Sequence, residues 1–534
     1  MGNSELITIT YFFSILVLYL LQYVPLIVLM KCFKQRTVPI KYHGKMVRIR
    51  ANFAVFFEYQ FWEGKTLLWI PIDRSLDIPL KRQVYEYIRN QILHGDLKGG
   101  ERLPATREFA SQLGISRNVL IEAFEQLLAE GYIVGHQGAG TFVAQGAFLE
   151  QEQKREQNKV SSISKGNQNE KDMIDFRSGI PALDMFPRKE WGKLSKEVCI
   201  DTPNSIFGYG YPEGRTELRE VLSHFLRKTR GVVCHPEQIV VTSGATQAFS
   251  LITRLLLSQG DRVIIEDPIT HEIQTIFTST GATLCPIPVD ELGIRTDRLI
   301  TKLKPKFILV TPSHQFPLGS ILPIQRRIQL IQFARASNCY VVEDDYDSEF
   351  RYEGQPINSL QGLEPEKVIY VGTFSKNLSP ALRIGYLVLP QALIEECRQL
   401  KWFQDLHTPS LDQMILARFI EDGLLERHIR KMRKIYMKRR EVLRNALVRE
   451  FGDLMRLSGD STGLHLIVDF PSVEVTEKMV EKFYLNGVKV YPVERHSFHK
   501  GRHQNKLILG YGNLRAEEIE EGVYRIKKTL SLKG

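Results

Sequence analysis

The sequence predicts an α/β protein, with a large, mostly parallel sheet, a smaller α+β region beside it and a compact helical module ahead of both. Three observations point there. Seven short Val- and Ile-rich runs alternate with helical stretches between residues 238 and 390. Apolar residues recur every three or four positions through residues 80–128, the period of helices with one buried face. The 534 residues also exceed one ordinary domain, and 43% apolar content supplies more than one core.

In chain order, residues 1–66 form an apolar extension. Leu6 to Met30 runs 25 residues without a charge, long enough to cross a hydrocarbon core. Lys31, Lys34, Arg36 and Lys41 follow, which would leave the rest of the chain in the cytoplasm behind a membrane anchor. The other reading is a start codon assigned too far upstream, since nothing after Leu67 needs this segment as a core partner. The six cysteines (Cys32, Cys199, Cys234, Cys285, Cys339, Cys397) have no paired spacing. Neither a disulfide framework nor a zinc knuckle is expected, and a reducing, cytoplasmic compartment is. The net charge of +10 is compatible with an anionic partner without requiring one.

Residues 67–145 form the helical module. Asp77 is placed to cap, and Pro79 to open, a helix with Leu80, Val84, Ile88 and Ile92 on one stripe, ended by Gly95. A short second helix starts near Thr106 and buries Phe109, Ala110 and Leu113 before Gly114 turns the chain. Ser116 caps a third, with Val119, Leu120, Ala123, Phe124, Leu127 and Leu128 inward. Two short helices across a glycine turn make a helix-turn-helix, and Tyr132–Val143, with Gly135, Gly138 and Gly140, reads as a hairpin wing. In such a module the amino end of the last helix enters the major groove of DNA. That makes Thr106, Arg107, Ser116, Arg117 and Asn118 candidate contacts, with Arg102 and the wing glycine Gly138 beside the phosphates. From Gly95 to Val143 the sequence resembles the winged helix of GntR-type transcription regulators, glycine-rich wing included.

Residues 146–173, polar, charged and almost free of aromatics, are expected to be a flexible linker. Residues 174–534 then supply the sheet: "QIVVTSG", "RVIIEDP", "TLCPIPV", "KFILVTP", "CYVVEDDY", "KVIYVGT" and "IGYLVLP" read as buried strands. After Pro390 comes long helical sequence, then "LHLIVDF", "VKVYPV", "KLILGYG" and a last helix from about Ala516.

Ligands of such sheets collect at strand ends, and four stations there build one site. Gly244, Ala245 and Thr246 open a helix directly after a strand, where a phosphate finds free amides and a favourable dipole. Asp344 and Tyr346 end another strand. Thr373, Ser375 and Lys376 follow a third, and Arg383 comes seven residues later. Each alone is ordinary. Together, a phosphate cradle, an amine, a carboxylate and a phenol describe a pyridoxal 5′-phosphate site.

Residues 175–530 resemble a fold-type-I aminotransferase, and the winged helix fused ahead of it is the layout of MocR-type (GabR-like) regulators. The resemblance implies that Lys376 is the Schiff-base lysine, Asp344 the partner of the ring nitrogen and Tyr346 that of the ring hydroxyl. It makes Gly244, Ala245, Thr246, Ser375 and Arg383 the phosphate shell, with Thr373 also cofactor-binding beside Lys376, and it implies a head-to-tail homodimer in which Tyr209 reaches the neighbour's phosphate. Three departures stand out. "TPSHQFPLG" replaces the usual Asn-Pro-Thr-Gly, so His314 or Gln315 takes the asparagine's place. Ile269-Thr270-His271 stands where an aromatic usually stacks on the cofactor. Ile508 stands where an arginine grips the substrate carboxylate, leaving Arg495 as the nearest replacement.

Two further clusters draw attention. His428–Arg440 is strongly basic, and a solvated helix face accounts for it. His496, His499 and His503 are close in sequence but lack a nearby acidic or cysteine ligand, so no metal is expected. The resulting expectation is a transcription regulator that binds operator DNA as a dimer and senses an amine or amino acid through exchange at Lys376, with partial or weak transamination serving regulation. The alternative is a working aminotransferase with an accessory winged helix.

Overall fold

The computed structural model describes residues 37–42, 45–50, 70–148 and 172–530. The charge-free run 6–30 and most of the expected linker lie outside these. No described helix is long and apolar enough to cross a membrane. Within 1–66, β1 (Thr37–Tyr42) and β2 (Lys45–Arg50) pair antiparallel. The chain divides into two compact units, Met1–Ile163 and Ser164–Gly534.

In the first unit, α1 (Leu80–Leu93) buries Val84, Tyr85, Ile88 and Ile92. Asp77 does not cap it, contrary to expectation. Pro79 occupies the cap position with extended backbone, and no side chain bonds to the helix start. Helix α2 (Thr106–Leu113) ends at Gly114 with φ +63°, a left-handed turn that suits glycine. Ser116 caps α3 (Arg117–Ala129), its hydroxyl accepting from the Val119 amide at 3.4 Å. Phe109 and Phe124 meet edge to face at 6.3 Å in the core. Leu128 leaves the expected stripe and is exposed. The wing is β3 (Ile133–His136) paired with β4 (Gly140–Val143).

In the second unit, β5 (Ile174–Asp175) precedes a sheet built from β6 (Ile239–Thr242), β7 (Arg262–Asp267), β8 (Thr283–Asp290), β9 (Gly293–Ile294), β10 (Phe307–Val310), β11 (Tyr340–Asp345), β12 (Val368–Thr373) and β13 (Gly385–Val388). Their spatial order is β6-β13-β12-β11-β10-β7-β8-β9. From β12 to β8 neighbours run parallel, whereas β13 is antiparallel to both β12 and β6. All seven strands expected from sequence are present, because each is an apolar run and all but the outlying β8 are buried on both faces. Helix α4 (Ala245–Leu256) follows β6, and α5 (Ile394–Asp405) follows β13.

The smaller part is entered through the 28-residue helix α6 (Leu424–Phe451). Its sheet has the order β14 (Arg456–Ser458), β15 (His465–Asp469), β18 (Lys506–Gly510), β17 (Tyr491–Pro492). "VKVYPV" is two strands rather than one: β16 (Val488–Lys489) pairs with β5 and only β17 joins β18. Helix α7 (Ala516–Leu530) closes it, Val523 and Ile526 sharing a core with Tyr436, Leu443 and Phe451 of α6.

Candidate functional site

The site lies at the carboxyl ends of the central strands β10, β11 and β12, where a parallel sheet gathers side chains from consecutive crossovers. Lys376 follows β12. Its Nζ donates to the Gly179 carbonyl at 2.8 Å, and Gly179 has φ +72° and no room for a Cβ, which would meet that Nζ at 2.6 Å. Burial lowers the ammonium's pKa. Asp347 and Asp344 oppose the shift, and Arg177 and Arg383 add to it. A larger share of free amine, the nucleophilic form, is the consequence.

Asp344 is 9% exposed at the end of β11. Its pKa is pushed up to about 8 by burial first, then by Asp345 and Asp347, with Lys376 opposing. Among the described residues no hydrogen bond reaches its carboxylate. The next carboxylate points to the opposite face, as strand alternation requires: Asp345 accepts from Arg230 Nε at 2.7 Å and from the Tyr370 hydroxyl. Sequence reading missed the third, Asp347. It is 2% exposed and accepts from His314 Nδ1 at 2.9 Å. The Tyr346 hydroxyl donates to the His314 carbonyl at 2.9 Å, and burial raises its pKa. His314 Nε2 is buried with no partner among the described residues.

The small domain covers this dyad. The His465 ring lies 4.7 Å from that of His314, and burial, then His314, pushes its pKa down to about 3. Gly463 sits directly on the pair, where a Cβ would collide with both the imidazole and the Asp347 carboxylate, at φ +79°. Gly463→Ala is therefore expected to lose about 1–3 kcal/mol by overpacking and about 1–2 kcal/mol more in a left-handed backbone. A lowered thermal unfolding midpoint checks this, and unchanged stability would disprove the close packing.

The cradle stands at β6 and α4. Gly244 precedes α4 with φ +90°, and a Cβ there would meet Arg383 Nη2 at 2.9 Å. Arg383 donates to the Ser243 carbonyl at 2.6 Å, and Thr246 is exposed on the open first turn. Thr373 Oγ1 donates to Ser375 Oγ at 3.0 Å and accepts from the Ser375 amide at 3.2 Å. Gln247, which sequence reading did not single out, fixes the turn. It accepts from the Ser243 amide at 2.7 Å and donates to Asp405 at 2.7 Å. Asp405 in turn accepts from the fully buried Lys401 at 2.7 Å.

The remaining residues singled out in the sequence lie as follows. Gln315 is occupied by backbone groups, donating to the Pro268 carbonyl after β7 and the Phe316 carbonyl and accepting from the Leu318 amide. Arg495 has both arms of its guanidinium on Glu477, at 3.1 and 2.5 Å. Tyr209 is 84% exposed, its ring edge on His407 at 6.1 Å. His496, His499 and His503 do not converge: His499 bonds to Asp267 at 2.7 Å and His496 lies on Phe316 at 5.1 Å. Among the described residues, His314, Asp347 and His465 are the group with ligand atoms close enough for a metal, within 4.8 Å. Asp347 is already held by His314 Nδ1, however, and His465 Nε2 pairs with the Pro317 carbonyl at 2.9 Å.

In the amino-terminal unit Arg102, Arg107, Ser116, Arg117, Asn118 and Gly138 are exposed and Thr106 half-buried. Arg102 lies along the wing, where a Cβ on Gly140 would meet its Nε at 3.1 Å.

These residues fit a pyridoxal-type cofactor. The orphaned His314 Nε2, the unpartnered Asp344 carboxylate and the glycine cradle under Arg383 are the three features that such a group would complete.

Comparison with known proteins adds the following. The family described as aminotransferase class I and II matches residues 171–526, and the bacterial regulatory proteins of the gntR family match residues 80–143. The uncharacterized HTH-type transcriptional regulator YdeL of Bacillus subtilis is 35% identical, over 85% of this chain and 98% of its own. The probable rhizopine catabolism regulatory protein MocR of Rhizobium meliloti is 34% identical, over 85% and 94%. The crystal structure of Pyrococcus horikoshii kynurenine aminotransferase, in complex with PMP, superposes with TM-score 0.63 at 30% identity, over 68% of this chain and 92% of that one.

Proposed function

Because the chain belongs to the aminotransferase class I and II family, among the MocR-like HTH-type transcriptional regulators with a gntR-family amino-terminal domain, we propose that it regulates transcription by binding DNA and sensing an amine. Pyridoxal 5′-phosphate, held in the carboxy-terminal unit, would be the sensing group. The observation that carries this reading is the buried Lys376 amine set beside the unpartnered carboxylate of Asp344. When bound, the cofactor supplies an aldehyde carbon open to amines and an electron-withdrawing ring.

This chain's residues do the rest. The α4 amides, Ser375 and Arg383 hold the phosphate. Asp344 holds a proton on the ring nitrogen. Tyr346 and His314 donate toward the ring hydroxyl, with Asp347 fixing the imidazole's orientation. Lys376 is the amine that would hold the aldehyde and that an incoming amine would displace, and a proton held on its freed Nζ would change the charge beside Asp344 and Asp347. Tyr209 of a second copy of the chain completes the phosphate shell. A ligand regulates DNA binding only if it prefers one arrangement of the dimer over another. Arg117, Asn118 and Arg107 would contact base edges, with Arg102 on phosphate.

The intact Lys376–Asp344–Tyr346 set also favours a second reading, a working aminotransferase with an accessory winged helix. One experiment separates the two: amines and amino acids are titrated into the holoprotein while the cofactor spectrum is followed, and the same samples are assayed for DNA binding. A regulator gives ligands that change both. Sustained formation of a 2-oxo acid with no duplex binding supports the enzyme.

A further inference from the structure

Helix α6 holds most of the chain's charge surplus. It contains ten Lys and Arg against three Glu, a surplus of seven in a chain whose whole surplus is ten. Residues 70–148, by contrast, hold eight Lys and Arg against nine Asp and Glu. Those residues, which resemble a duplex reader, thus have no surplus of their own with which to neutralise phosphates, although phosphate neutralisation supplies essentially all sequence-independent affinity for DNA.

The cations of α6 are sorted by face. Leu425, His428, Met432, Tyr436, Leu443 and Leu447 are buried. Arg427, Arg430, Lys431, Lys434 and Lys438 are exposed on the opposite side. At 3.6 residues per turn they share an arc of roughly 100° along roughly 16 Å of helix. Of the helix's other arginines, Arg440 pairs with Glu353 at 3.1 Å and Glu441 at 2.6 Å, Arg444 with Asp460 at 3.9 Å and Arg449 with Glu450 at 3.2 Å, Arg439 donates to the Gly512 carbonyl, and Arg433 is exposed but lies outside this arc. Arg427 donates to the Asp422 carbonyl at 3.1 Å. Among the described residues, Arg430, Lys431, Lys434 and Lys438 have no carboxylate within 4.0 Å.

An ordinary solvated face alternates its charges, as Lys193–Glu197 and Arg525–Glu521 do elsewhere in this chain. On α6 the nearby glutamates are turned away, Glu426 to Lys228 and Glu441 to Arg440. Arg430, Lys434 and Lys438 then repel one another at i, i+4 spacing, which weakens the helix. Folding alone gives no reason for that arrangement. Two copies of such a stripe also repel, which excludes it as a self-association surface.

We infer that this stripe is a second duplex-binding surface, which grips the phosphate backbone without reading bases. The inference rests on the DNA-binding reading above and adds to it where the non-specific part of the affinity resides.

The test uses full-length holoprotein with Arg430→Gln, Lys431→Gln, Lys434→Gln and Lys438→Gln combined, and a second variant, Lys431→Arg with Lys434→Arg, that keeps the charge. The probes are duplexes selected by the parent protein from a random pool and the same duplexes shuffled, measured between about 50 and 200 mM salt. The neutralised variant should bind both probes more weakly, by about 100-fold at low salt. Its slope of log affinity against log salt should be shallower by up to about 3.6 per copy, at ~0.9 for each of the four phosphate contacts. The cofactor band stays unchanged, and the charge-keeping variant binds as the parent does. An unchanged slope in the neutralised variant overturns the inference and restores the solvated face. Lost regulation in cells with unaltered duplex binding also overturns it, assigning the stripe to an acidic protein. A parent protein that selects and binds no duplex at all defeats the DNA-binding reading itself.

Discussion

Lys376→Ala is expected to leave the purified protein without the cofactor's visible absorption band and without a borohydride-stable adduct on its peptide map. It should also make DNA binding indifferent to amines that act on the parent. The expectation is total rather than partial because, among the described residues, no second amine is placed to substitute. Lys401, the other well-buried lysine beside the cradle, is held by Asp405 at 2.7 Å on the far side of Gln247. Lys376→Arg separates charge from chemistry. A guanidinium keeps the cation that Asp344 and Asp347 face, but it stays protonated and cannot act as the nucleophile. Both variants should therefore lose the adduct, while Lys376→Arg keeps more of the parent's thermal stability. A pyridoxyl adduct persisting in the alanine variant at another lysine would remove Lys376 from the centre of the account.

The sequence exposed most of this arrangement, and the exceptions share a physical cause. Strands buried on both faces are continuous apolar runs, so β6, β7 and β10 to β13 were readable in the sequence, and β8 by its apolar run although it is only part-buried. The two-residue strands β5, β9 and β16 were not. β16 exists because Val488 meets Ile174, a pairing more than three hundred residues apart that leaves no local pattern. Ser116 was legible as a cap because its hydroxyl acts within one turn. Asp77 was not excluded because only the extended backbone at Pro79 shows that it cannot reach. In the site, Lys376, Asp344, Tyr346 and Arg383 stood out by order and spacing. Asp347 had a signal that went unused: three carboxylates within "DDYD" cannot all serve one ligand, and one of them needed an imidazole. Gly179 and Gly463 are required by side chains far away in the chain, Lys376 and His314, and no reading of neighbouring residues reveals that.

Asp344→Asn is expected to act with opposite sign in the two states of the protein. In the cofactor-free chain the Asp344 pKa is raised to about 8, by burial and then by Asp345 and Asp347, from an unfolded value near ~3.9. The folded state therefore holds a proton that the unfolded state releases between those values. The stability contributed by this group is complete below about pH 4 and is lost as pH rises through about 8. Asparagine carries no charge to bury, so the cofactor-free variant should be more stable than the cofactor-free parent at pH 8.5. The gain should be about 1–3 kcal/mol, the range for relieving an unsatisfied buried group, and should vanish toward pH 4. In the loaded protein a ring N–H⁺ facing the carboxylate reverses the balance, because an opposite charge at contact favours the ionised form. There the variant should be the less stable protein and should release cofactor at least about tenfold more readily, ~1.4 kcal/mol at the ring nitrogen. Thermal unfolding of both proteins, with and without cofactor, from pH 4 to 9 measures all four curves. If the two cofactor-free curves run parallel across that range, Asp344 is not the group that holds the extra proton, and its pairing with the ring nitrogen loses its physical basis.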